Sequence, residues 1–173
     1  MDYSRQRIEV AFALELLWLA AIVLVALAQS MLLPRPLELT LNVVLLLVTC
    51  RALLGSIGGA SVGALLGGVA LDLATTLPLG THALALVLAV GGVALGMALG
   101  VLGRLRVLLA TVFGGVLYHS VLLAATTWTT GPMPFSRYAL VTALPDMALI
   151  LTGALPVFLL RRRDRELDLG ALL

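Results

Sequence analysis

Hydrophobic and polar positions divide this chain coarsely: long uncharged runs alternate with short breaks rich in Arg, Pro and Gly. Leu16–Leu33 is free of charge and ends at Pro34, Arg35 and Pro36. Leu39–Cys50 is shorter, bounded by Glu38 and Arg51. Ala52–Leu71 runs to Asp72, and the uncharged stretch beyond it is too long for one helix, so the turn signal at Pro78 and Gly80 divides it. Gly103, Arg104 and Arg106 form the next break, and Gly131, Pro132 and Pro134 the one after. A membrane-crossing helix needs about 20 apolar residues. The pattern predicts six spans at about 12–33, 37–54, 55–73, 82–102, 107–128 and 138–160. The second is the shortest, and crosses only if Glu38 sits at one interface and Arg51 snorkels to the other. The expected fold is all-α: one polytopic membrane bundle over residues 1–173, with no room for a soluble domain.

Composition agrees. The chain is 61% hydrophobic and 12% charged, with a mean hydropathy of +1.13. Soluble domains run near 45–50% apolar and about 25% charged. The first run outlasts the core of a cleaved signal, so it is expected to stay as the first span. All basic side chains are Arg, and they lie at the ends of apolar runs. A net charge of +2 in that arrangement sets topology and excludes a nucleic-acid footprint. With six spans, Arg5, Arg7, Arg51, Arg104, Arg106 and the cluster Arg161, Arg162, Arg163 and Arg165 share one side, leaving Arg35 and Arg137 on the other. The positive-inside rule then predicts two cytoplasmic termini. Anionic lipid is the natural partner of the basic cluster. Cys50 lies in an apolar run and cannot form an internal disulfide.

Two glycine series stand out. Gly59, Gly63 and Gly67 recur every four residues on the third helix, and Gly92, Gly96 and Gly100 on the fourth. Small residues at this interval let helix backbones approach closely. They fit packing of the third helix on the fourth, or a docking groove for a partner's helix.

Few polar groups lie within the spans. His119 and Asp146 fall at matching depth on consecutive antiparallel helices, roughly 12–14 Å below the ends at Trp128 and Tyr138. They are expected to approach each other, as a structural tie or as a proton relay. Pro145 should kink the sixth helix. Asp72, at the end of the third helix, faces an unfavourable dipole and needs a donor from Thr75, Thr76 or the turn amides; it reads as a turn-stabilising carboxylate. His82, opening the fourth helix, is expected to be neutral. Glu15 and Arg51 fall near one interface and can pair or reach water. Trp18, Trp128 and Tyr138 suit interface anchoring. No cofactor or metal constellation is apparent, and no catalytic motif, so no enzyme activity is expected.

The run VGALLGGVALDLATTLPLGTHALAL resembles the signature of the MreD family of rod shape-determining proteins. The matching residues are Gly67, Leu71, Asp72, Leu73, Pro78, Leu79, Gly80, His82, Ala83 and Leu84. Arg35-Pro36 before the second span is similar to the family pattern. So is the ending Ala154-Leu155-Pro156, Phe158 and Arg161–Arg163. The resemblance implies a non-catalytic scaffold of the bacterial inner membrane. Its partners would be the single-span protein MreC, the filament protein MreB and the RodA–penicillin-binding protein 2 synthase. It would help organise peptidoglycan synthesis and cell shape. That family also looks distantly like the six-helix substrate-binding subunits of energy-coupling-factor vitamin transporters, which supply the alternative function. A vitamin pocket calls for aromatic and polar lining; at 5% aromatic, the chain fits the scaffold better.

Overall fold

The computed structural model describes residues 2–32, 41–99 and 104–156. They form six helices: α1 (Asp2–Leu32), α2 (Val43–Leu53), α3 (Ile57–Ala74), α4 (Thr81–Ala98), α5 (Arg104–Thr130) and α6 (Phe135–Pro156). Among the described residues no strand occurs, and five helices are long and apolar enough to cross a bilayer. The chain is a multi-pass helical membrane protein. Leucine, valine and phenylalanine face outward along the spans, at Leu65, Leu84, Leu95, Leu108, Phe113 and Val116 among others. In lipid such side chains need no cover.

Within the expected second span, 37–54, the described helix is shorter, Val43–Leu53. It starts only at Val43, because Leu41 and Asn42 are not helical and Asn42 caps it. The Asn42 side-chain oxygen accepts the Leu45 amide at 3.0 Å. Eleven residues rise about 16 Å, roughly half the hydrocarbon thickness of about 30 Å. At the other end Gly55, at φ +98°, turns the chain into α3.

This short helix is the axis of the bundle. Val44, Leu45, Val48, Thr49, Ala52 and Leu53 are buried. It touches α1, α3, α4 and α5, and Leu46 and Cys50 pack against Gly153 of α6. A helix end at membrane depth is tolerated where protein surrounds it. Around α2, helix α3 packs on α1 and α4, and α4 packs on α5.

The glycine series do not face each other as expected for packing of α3 on α4. A Cβ on Gly63 or Gly67 would press on Trp18 and Ile22 of α1, or on Val44 of α2. Gly59 lies against Glu15 and Arg51. Gly92 and Gly96 meet Gly114 and Ala110 of α5. Both stripes are therefore filled by the chain's own helices and offer no groove to a partner. The α3–α4 contact is made by Gly68, where a Cβ would fall on the backbone of Ala83. Gly100 lies outside the described residues, as do Arg161, Arg162, Arg163 and Arg165.

Pro145 acts on α6 through a change of helix type. It has no amide to donate and its ring crowds the carbonyl four residues back. The preceding turn, Ala139–Ala143, is π-helical, and the Leu144 amide reaches back five residues to the Ala139 carbonyl. The wider turn is the usual single-turn relief of such a conflict.

Candidate functional site

Two polar centres lie in the bundle. The first is the turn between α3 and α4. Asp72 sits in the last turn of α3 with its carboxylate buried. Its Oδ2 accepts the Gly80 amide at 2.9 Å and the Ala83 amide at 3.3 Å; Oδ1 accepts the His82 amide at 2.8 Å. The His82 ring lies against the same oxygen, Nδ1 to Oδ1 2.9 Å. These are orphan amides at the start of α4, so a carboxylate from the preceding helix caps it in place of the Gly80 side chain that does not exist. Gly80 holds φ +95°, which few other residues adopt cheaply. Of the donors expected for Asp72, the turn amides serve; Thr75 hydrogen-bonds the Asp72 main-chain carbonyl instead. Pro78 accepts from the Thr81 hydroxyl at 2.7 Å, and Leu79 is exposed at the turn.

The second centre surrounds the start of α2. The Asn42 amide donates to Asp146 Oδ1 at 2.7 Å, and its side-chain amide donates to the Tyr118 hydroxyl. The Val43 amide donates to Gln29 Oε1 of α1 at 2.8 Å. Two orphan amides of a half-length helix are thus satisfied by side chains from α6 and α1, with the carboxylate where the helix dipole favours negative charge. Tyr118 and His119 are neighbours on α5 with rings edge-on, centroids 5.1 Å apart. His119 Nδ1 lies 3.1 Å from the Tyr138 hydroxyl. His119 Nε2 and Asp146 Oδ2 approach to 3.8 Å, ion-pair range but too long for a direct hydrogen bond.

His119 and Asp146 are therefore brought together, and Asp72 with His82. The two pairs remain separate centres. Tyr138 differs from its expected anchoring role: it is buried and bonded to His119, whereas Trp128 is 91% exposed. Trp18 lies beneath the Arg51 guanidinium, 5.2 Å from ring centroid to Cζ, and Arg51 pairs with Glu15.

Sequence reasoning missed Asn42, Tyr118 and Gln29. A signal existed for Asn42: it is the sole asparagine in the chain, directly before Val43-Val44-Leu45. Among the described residues no group of three or more His, Cys, Asp or Glu could hold a metal. Comparison with family models, with curated proteins and with solved structures returns no match.

Proposed function

We propose that the chain is a non-catalytic membrane scaffold of the MreD type, working in the bacterial elongation machinery that shapes rod cells. The observation that carries this reading is the Asp72 turn. The residues that resemble the MreD signature are ones this turn needs: a buried carboxylate, a left-handed glycine, a histidine against the carboxylate and a small residue where α4 meets Gly68. Four of the ten matching residues, Asp72, Gly80, His82 and Ala83, thus have a role in one local structure, which supports the reading.

A scaffold of this kind binds its partners mainly inside the membrane, since little of the described chain lies outside the helices. The glycine faces being filled, the partner surface we favour is aliphatic and lies on α1. Val10, Leu17, Leu24 and Met31 are spaced by seven and are 59%, 67%, 66% and 82% exposed. A seven-residue stripe suits packing against a second long helix. The single-span protein MreC is the partner proposed for it, with MreB and the RodA–penicillin-binding protein 2 synthase reached through the assembly. Counting the segment that contains the half-length α2 as a crossing, which makes six, the positive-inside rule puts both termini and the Arg51 end in the cytoplasm of a bacterial inner membrane.

Deleting the gene in its host tests this reading. Rods should round up and recover on re-expression. Retained rod shape together with loss of uptake of one vitamin would replace the scaffold by the transporter-subunit alternative.

A further inference from the structure

Among the described residues four buried side-chain nitrogens make no hydrogen bond, on Trp18, Arg51, Arg106 and His119, and that of His119 faces the buried Asp146 carboxylate. His119 Nε2 makes no hydrogen bond, although its side chain is only 8% exposed and the Asp146 side chain facing it 3%. The other ring nitrogen shares the Tyr138 hydroxyl with the His119 carbonyl, which lies 3.3 Å from that hydroxyl. If Tyr138 donates to the carbonyl, Nδ1 donates to the hydroxyl oxygen, and Nε2 turns a bare lone pair toward a carboxylate. If Tyr138 donates to Nδ1, Nε2 carries the ring proton but aims it at an oxygen 3.8 Å away. Either way a buried group goes unsatisfied, at a cost of about 1–3 kcal/mol. One added proton removes the conflict. The ring becomes an imidazolium beside a carboxylate, or the carboxyl group donates to Nε2, and a small contraction closes the bond.

We propose that His119 and Asp146 form a proton-binding site deep within the bundle, taking up one proton per chain, and that its occupancy is transmitted to the start of α2. The proton comes from water and returns to it. No other bond is made or broken, and the charge of the pair changes from −1 to 0. Transmission runs through Asp146, whose Oδ1 accepts the Asn42 amide at 2.7 Å. With the carboxylate ionised, that bond is charge-assisted and the α2 dipole reinforces it; a proton on Asp146 weakens both. The titratable groups around the pair are Tyr118 on α5 and Tyr138 on α6, with Asp72 of α3 acting on Tyr118. His82 of α4 is engaged by Asp72. Helices α2 and α1 contribute the uncharged Asn42 and Gln29. The site is independent of the scaffold reading.

The test uses the full chain in lipid nanodiscs with nitrogen-labelled histidine. His119→Gln identifies the His119 signals by their loss. As pH falls from about 9 to about 5, the His119 ring-nitrogen signals and the Asp146 carboxyl infrared band should change over the same interval, because the two share one proton. Asp146→Asn keeps the side chain's shape and its acceptor for Asn42, and should lower the proton affinity of His119 at least about tenfold. A His119 signal that is constant over this range, or unaltered by Asp146→Asn, overturns the site. If Asp146→Asn does not fold, the wild-type titration decides alone: coincident histidine and carboxyl changes support the site, and separate or absent changes overturn it.

Discussion

Asp72 and Asn42 do the same job at opposite ends of their information content. Each satisfies orphan amides at a helix start, Asp72 for α4 and Asn42 for α2. Asp72 was legible in the sequence as a turn-stabilising carboxylate, because a lone acid beside Pro78 and Gly80 has few other roles. Asn42 was not, because hydrophobic patterning counts a single neutral polar residue as a lapse in an apolar run. Asp72→Ala strands three amides and should lower stability by about 3 kcal/mol, read as the midpoint of detergent-induced unfolding. Asp72→Asn should cost less, since one oxygen still accepts. Asn42→Ala removes both a cap and the Tyr118 bond, and should cost about 2 kcal/mol in the same assay.

Among the elements, the long helices were readable and the short one misled. Length and apolarity placed α3 to α6 to within a few residues at their described ends, whereas α1 begins at Asp2, about ten residues before the expected start at 12. The run 37–54 was read as a span because an even number of crossings kept the arginines on one side. α2 starts at Val43 under the local cap of Asn42, and Gln29, Tyr118 and Asp146 converge on that cap from other helices, an arrangement no local pattern encodes. Glycine spacing likewise gave close packing correctly but not the neighbour. This makes a sharp comparison within α3. Gly68→Ala drives a Cβ into the Ala83 backbone and should destabilise by about 2 kcal/mol or more. Gly58→Ala meets nothing within 4 Å and should be neutral or stabilise by up to about 1 kcal/mol. Equal effects at the two positions would show that the α3–α4 approach is wrong.

At the scale of the whole molecule, long helices pack against a half-length helix whose start is held by buried side chains. Every described glycine of the two series lies against the chain's own side chains or backbone. The aliphatic stripe proposed for a partner lies on α1, the least buried of the five long helices. The fold class was legible from composition and run length alone; the partner face was not, because faces are assigned only when the helices are packed.

The most direct test of the scaffold account is cysteine crosslinking in native membranes of the host. Cys50 is first replaced by alanine, and single cysteines are then placed at Leu17, Leu24 and, as a control on another helix, the exposed Leu95 of α4. The account predicts crosslinks from positions 17 and 24 to the single-span partner MreC, and none from position 95. No crosslink from either α1 position to a single-span protein, with the variants folded and inserted, would contradict it.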